Sequence, residues 1–350
     1  MKKVLVTICA MAAVLACTKT EVTFDEPGEI SFAPVSRYAT KAAVGTGDSF
    51  TQSFYVFANT NTENVPYFSN VLFGDTDNDG IFLGNPSQFW PNATPLKFAG
   101  VTKSGNIGTV TPDMSTWGTI SVNDYEQPSP GTASTENDLM YFFVDNGSDG
   151  YTKPASDDVV NVTPVMQHAC SWISIKVAAD ENTIYKDLDT ETEGVQSYWQ
   201  DIKLTEIKIV SLQTKGNVTL SKDSGASWEN TSASQNNIVI YSGEGSLTST
   251  ATLFENNTNN TVVIPQAPFS VSLTYKYKTS ASGVNYITET VSGISLATTD
   301  ITTWNPGMHY TYTLVIGADE IKIRPSAASW NEDLNGDADG NGQPADKEVN

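Results

Sequence analysis

From Phe54 to Ile323 apolar residues recur at every second position, and clusters of Gly, Asn, Pro and Asp interrupt them at short intervals. No convincing amphipathic helix longer than two turns can be drawn through this region. Successive side chains of a strand point to opposite faces, so the pattern fits half-buried strands and an all-β fold. The clearest run is VSLTYKYK, in which Val271, Leu273, Tyr275 and Tyr277 share one face and Ser272, Thr274, Lys276 and Lys278 the other. One buried and one wetted face is the mark of an antiparallel β-sandwich. Ile173, Ile175 and Val177 alternate in the same way, as do Tyr310, Tyr312, Leu314 and Ile316. Further strands are expected at 53–58, 96–101, 139–144, 204–210, 237–241 and 261–265.

A chain of 350 residues with 39% hydrophobic residues can build two cores. The polar stretch 178–201 breaks the strand rhythm, which predicts one sandwich over 38–185 and another over 186–330. Residues 331–350 contain almost no apolar side chain and read as an acidic flexible tail.

Residues 1–17, MKKVLVTICAMAAVLAC, combine two lysines, a short apolar run and small residues ending at a cysteine. This is a secretory signal, and Val14-Leu15-Ala16-Cys17 resembles a bacterial lipobox, in which the cysteine is acylated and becomes the mature N-terminus. Acyl chains on Cys17 would supply a membrane anchor of the precursor. Cys9 lies in the apolar run, which leaves Cys170 as the one other cysteine and rules out an intramolecular disulfide in the mature chain. In QHACSWISIKV, Cys170 reads as a small buried hydrophobe.

The net charge of −21 comes from 40 acidic and 19 basic residues. Such a surface repels phosphate backbones and anionic lipid, against nucleic-acid binding or electrostatic membrane adsorption. His168 and His309 are the only histidines, neither in a nucleophile elbow or zinc motif, so both are expected to be structural and no catalytic residues are assigned. Asp75, Asp77 and Asp79 with Gly80 match the first half of an EF-hand loop, but Pro86 stands where the bidentate carboxylate belongs. The tail repeats the pattern at 335–340, with Asp346 at the twelfth position. Both are weak calcium candidates whose alternative is an acidic turn; no other cofactor is indicated.

Several stretches in order resemble the fimbrillin family, the pilus subunits of Bacteroidales, in its broad form that includes Mfa-like proteins. They are the Cys17 lipobox, ISF and TKA within 30–42, FYVFAN at 54–59, FWPNATPLKFAG at 89–100, DLMYFFV at 138–144, VMQHACSWISIKV at 165–177, VVIPQ at 262–266 and WNPGMHYTYTLVIG at 304–317. The resemblance implies two transthyretin-like β-sandwich domains in tandem, export as an outer-membrane lipoprotein, and a cell-surface pilus as destination. It also implies that an arginine-specific surface protease removes an N-terminal segment, vacating a groove that a C-terminal strand of the next subunit fills. An extended donor with alternating apolar residues suits such a groove. On this reading 18–37 is a propeptide whose plug strand carries Ile30 and Phe32. The donor strand is 319–330, with Ile321, Ile323 and Trp330.

Only two arginines occur in the chain, and Arg324 precedes a proline, so Arg37-Tyr38 is the one readily cut arginyl bond. The implied partners are other pilus subunits, including further copies of the chain, and a host or bacterial surface as adhesion target. The tail beyond Trp330 departs from what a repeated shaft subunit needs. It leaves open a tip, accessory or anchor subunit, or a non-polymerising lipoprotein binding glycan or host protein through Trp117, Trp199 or Trp228.

Overall fold

The computed structural model describes residues 28–36, 50–103, 107–127, 138–154, 162–181, 200–230, 235–254, 261–278, 284–317 and 321–329. Every secondary-structure element among them is a strand, which establishes the all-β class. In chain order these are β1 (Ser31–Phe32), β2 (Val35–Ser36), β3 (Phe54–Thr60), β4 (Pro66–Gly74), β5 (Phe82–Asn85), β6 (Leu96–Thr102) and β7 (Thr109–Pro112). Then come β8 (Thr119–Glu126), β9 (Met140–Val144), β10 (Val165–His168), β11 (Ser171–Ala179), β12 (Gln200–Gln213), β13 (Lys215–Ser221) and β14 (Gly225–Asn230). The last seven are β15 (Gln235–Ser246), β16 (Thr252–Leu253), β17 (Thr261–Val263), β18 (Ser270–Lys278), β19 (Ile287–Ser295), β20 (Met308–Ile316) and β21 (Ile321–Ser329).

The N-terminal part is organised by a sheet in the order β1-β5-β4-β3-β6-β9-β10-β2. Its central strands are covered on both faces, so period two sorts their residues between two cores. Phe54, Val56, Leu96, Phe98, Met140 and Phe142 line one core together with Ile30 and Phe32. Phe57, Ala99, Val101 and Tyr141 line the other, against Ile120, Val122 and Tyr125 of β8 and Val218 and Leu220 of β13. Burial on both faces explains why FYVFAN and LKFAGV are nearly continuous apolar runs. Gly100 sits where Phe142 crosses the sheet: a β-carbon there would collide with that ring and come within 3.0 Å of the Tyr55 carbonyl oxygen. Phe142 is only 1% exposed and cannot swing away. Gly100→Ala is therefore expected to destabilise the protein by about 1–3 kcal/mol through overpacking, read from the denaturation midpoint.

The C-terminal part is a sandwich of two sheets. One runs β16-β11-β20-β21, with β17 also on β11, and the other β15-β12-β18-β19. Between them Ile173, Ile175 and Val177 meet Val271, Leu273, Tyr275 and Tyr277, closed at one end by Trp304, whose indole N–H donates to the Tyr312 hydroxyl at 2.8 Å. The face expected to be buried in β18 is the buried one, with Lys276 and Lys278 on the other side.

The division expected near 180–200 is not where the sheets divide. Strand β11, placed by the 38–185 range in the first sandwich, runs parallel to β20 over eight residue pairs from Trp172↔His309 to Ala179↔Ile316. In the opposite sense the hairpin β13–β14, placed in the second half, joins β8 through β13. Composition located a long polar connection, but a connection does not reveal which sheet its flanking strands join; partners distant in sequence decide that. Parallel pairing at β11–β20 and at β2–β10 also departs from the uniformly antiparallel arrangement expected.

Candidate assembly groove

The chain from Gly28 to Ser36 closes the N-terminal sheet on itself. On one side β1 lies antiparallel to β5, with Ser31 opposite Leu83 and Phe32 opposite Phe82. On the other, β2 lies parallel to β10, with Val35 opposite Val165 and Ser36 opposite Met166. Ile30 donates its N–H to the Gln88 carbonyl at 2.7 Å, whereas Ala33 and Val35 donate to the Val162 and Pro164 carbonyls at 2.9 and 3.0 Å. Pro34 stands between the two donors aimed at the β10 side. Lacking an N–H, it leaves no ladder donor unsatisfied where the segment passes from one partner to the other.

Ile30 and Phe32 are both fully buried. The Phe32 ring meets Phe73, Phe98 and Phe54 edge-on at centroid distances of 4.9, 5.3 and 5.8 Å, with Phe142 tilted at 5.9 Å. Edge-to-face packing sets the positive ring edge against the negative face and adds to simple burial. Ile30, just before β1, and Phe32, within it, are thus two inward residues on either side of Ser31. The four phenylalanines that receive Phe32 lie on β3, β4, β6 and β9, separated in sequence, so spacing alone could not bring them together. Val35, Leu83 and Phe89 stand exposed along the same seam.

Withdrawing 28–36 would leave two facing edges, β5 and β10, with unpaired backbone groups, and an apolar trench floored by phenylalanines. Unpaired edges and open trenches of this kind are receptors for an extended strand. Arg37 and Tyr38 lie just beyond this segment, outside the described residues, as do Cys17, Trp199 and Trp330.

Strand β21 pairs antiparallel with β20 at nine positions, from Ile316↔Ile321 to Met308↔Ser329. Ile321 and Ile323 are half-buried against the C-terminal core, while Lys322 and Arg324 face outward. Among the described residues the strand is the terminal member of its sheet, with β20 as its one partner.

The remaining candidates are placed as follows. Asp75, Asp77 and Asp79 each bring a carboxylate oxygen within 4.8 Å of the others on the surface. Asp75 already accepts the Asp79 and Gly80 N–H groups at 3.2 and 3.0 Å, as in an acidic turn. Trp117 is 5% exposed and packs in a core. Trp228 is partly buried, set edge-on to Tyr125, and donates its indole N–H to the Ala169 carbonyl at 2.6 Å. Trp117 therefore offers no free face for stacking a sugar.

Cys170 is completely buried, and desolvation, helped by the Asp138 charge, pushes its thiol far above the usual range. It is not a nucleophile. His168 pairs through Nδ1 with the Asp138 carboxylate inside the protein. His309 stacks on Trp172 at 3.7 Å and meets the Ser174 hydroxyl at 3.0 Å. Both histidines are structural, as expected.

No curated protein sequence shows significant similarity to this chain. Among solved structures, a fimbrial protein from Bacteroides vulgatus is 14% identical and superposes with a TM-score of 0.53, covering 87% of this chain and 99% of its own. The tip fimbrial protein Mfa3 from Porphyromonas gingivalis is 9% identical with a TM-score of 0.40, covering 86% of this chain and 100% of its own. The first likeness extends to the fold. The family model described as fimbrillin-like matches residues 39–330. The chain belongs to the fimbrillin-like family.

Proposed function

We propose that this protein is a cell-surface pilus subunit that is lipidated at Cys17, cut after Arg37, and assembled by a strand entering the groove that residues 28–36 occupy. The observation that carries the reading is the double edge closed by one short segment, with Phe32 sealed beneath it. A plug of this size holds mainly by apolar burial, on the order of 1.5–3 kcal/mol for each large side chain, and gains from being covalently attached. Cutting at Arg37, one residue past β2, removes that attachment without touching the ladder itself. The exchange then becomes a competition between strands of similar pattern, in which the longer strand wins.

Residues 321–329 match the donor pattern, with Ile321 and Ile323 alternating with charged side chains. Their nine pairs with β20 favour a second reading, in which β21 stays in its own sandwich and the groove takes a strand from a different subunit. The protein would then be a tip, accessory or anchor subunit.

Lipid-free protein treated with an arginine-specific protease separates these readings. Cleavage at Arg37 followed by a ladder of oligomers on native gels is the expected result, with Arg37→Gln remaining uncut and monomeric. Cleaved monomer that has released its N-terminal segment would refute self-polymerisation and leave the accessory role. Cleaved protein that retains the segment under conditions where the pilus forms would refute the groove itself.

A further inference from the structure

On the outer side of the N-terminal sheet, Lys97 of β6 is buried to 9% exposure in a protein whose other lysines mostly reach solvent. A buried ammonium costs free energy unless it is paired with a carboxylate or surrenders its proton. Lys97 instead places its Nζ against the side-chain oxygen of Asn64, in the turn between β3 and β4. The Trp117 ring closes over the same nitrogen, 5.5 Å from centroid to Nζ.

The surroundings fix both groups. Asn59, opposite Lys97 in the β3–β6 ladder, is fully buried and donates its Nδ2 to the Asn64 carbonyl at 3.1 Å and to the Met114 carbonyl at 2.6 Å. It thereby ties the Asn64 turn and the Trp117 loop to the sheet. Its Oδ1 is buried with no hydrogen-bond partner among the described residues. Asn64 itself is held at φ 54°, a left-handed position that asparagine tolerates better than most residues.

A carboxylate completes the set. The β6–β9 ladder ends at Phe98↔Val144, and the next residue of that chain, Asp145, carries a charge that acts on Lys97. Asp145 is shared: Lys222 approaches it to 2.5 Å. The charges of both lysines act at this carboxylate, and Lys222 is the one in direct contact with it. Burial first, then the Lys222 charge, hold Lys97 below the usual lysine range, against a smaller opposing pull from Asp145. The site therefore sets a buried amine against a fixed carboxamide, beneath an aromatic ring and within the field of the Asp145 carboxylate.

We propose that Lys97 and Asn64 condense into an intramolecular isopeptide cross-link. Nζ of Lys97 adds to Cγ of Asn64, forming the new C–N bond. The Cγ–Nδ2 bond breaks, and the nitrogen leaves as ammonia. A proton passes from the lysine nitrogen to the departing nitrogen, and the negative field of Asp145 favours the cation that leaves. One ammonium and one carboxamide enter, one secondary amide and one ammonium ion leave, and neither oxidant nor cofactor is consumed. The bond fastens the β3–β4 turn to the start of β6 across a sequence separation of 33 residues. It lies on strands that stay in place when the closing segment 28–36 departs, so the cross-link holds the sheet together while its edges are open. The inference does not depend on how the groove is filled.

Peptide mapping of the purified full chain tests it directly. No lysine or arginine lies between Lys41 and Lys97, and the next basic residue is Lys103. Trypsin digestion of the denatured protein is expected to give 42–103 as one peptide, uncut after Lys97 and lighter by one ammonia. Peptide 42–97 at its full sequence mass as the main product would overturn the proposal. Asn64→Asp should lose one water in place of ammonia and keep the missed cleavage, and Lys97→Arg should restore full mass and cleavage at that position. A wild-type mass deficit that persists in Lys97→Arg would assign the loss to another residue pair and also refute it.

Discussion

Phe32→Ala is expected to cost the uncut protein about 3–5 kcal/mol, among the largest effects of any single substitution in the N-terminal part. The side chain is fully buried and touches four rings that come from four different strands. Truncation would leave a void that those rings cannot collapse to fill, because each is fixed by its own strand. Leu83, on the same seam and directly opposite Ser31, is 42% exposed, and Leu83→Ala should stay within about 0.5 kcal/mol. Urea denaturation of both variants supplies the comparison. The same substitution has a second consequence after cleavage at Arg37. Each 1.4 kcal/mol is a factor of about ten in an equilibrium constant, so retention of the severed segment should fall by roughly two to three orders of magnitude. Gel filtration of the cleaved variant reads this as complete loss of a fragment that the cleaved wild type holds longer. Equal stability of Phe32→Ala and wild type would mean that 28–36 is not seated as a plug.

The parts of this fold that were legible in the sequence are those where burial is one-sided or the apolar run is long. Strands β18, β11 and β20 announce their inward faces residue by residue, and β3, β6 and β9 announce themselves through continuous runs. Strand β4 does not: in PYFSNVLFG one residue alone is buried, so period two has nothing to register. Strands β7 and β19 are similarly exposed. Pairing was less legible than strand formation. Nothing local distinguishes a β11 that stays with β10 from one that crosses to lie parallel to β20, because register and partner are chosen by side chains more than a hundred residues away. The groove shows the same division. Alternation at Ile30 and Phe32 marked the inward residues, whereas the change of partner at Pro34 and the parallel pairing on β10 depend on two edges being present together. The tryptophans that the glycan-binding alternative would use as platforms illustrate the converse: Trp117 and Trp228 carry polar neighbours in sequence yet pack inward, since a large ring is buried by whatever folds over it. Lys97 gave no signal at all, because a lysine in a strand ordinarily marks the wetted face.

Removing Asp138 alone is expected to cost more than removing it together with His168. The imidazole and carboxylate face each other inside the protein, both about 1% exposed, at the start of β9 and the end of β10. Taking one partner from a buried pair strands the other polar group in a medium that cannot solvate it, typically at about 3–5 kcal/mol, whereas replacing both by apolar groups of similar volume is often close to neutral. Asp138→Leu should therefore lie in that range, and Asp138→Leu with His168→Phe should recover much of the loss. Position adds a further effect. His168 pairs with Met140 in the ladder that presents β10 to the closing segment, and the Asp138 carbonyl is held by the Thr102 hydroxyl at 3.1 Å. Loosening this corner should weaken the edge on which Val35 and Ser36 pair, so the single variant should also release the cleaved N-terminal segment faster than the double variant does. A double-mutant cycle in denaturant reads the coupling. Costs that simply add would mean that the two side chains stabilise the protein independently. A double variant as slow to release the segment as wild type would place the pair's contribution in the volume it fills rather than in the polar contact itself.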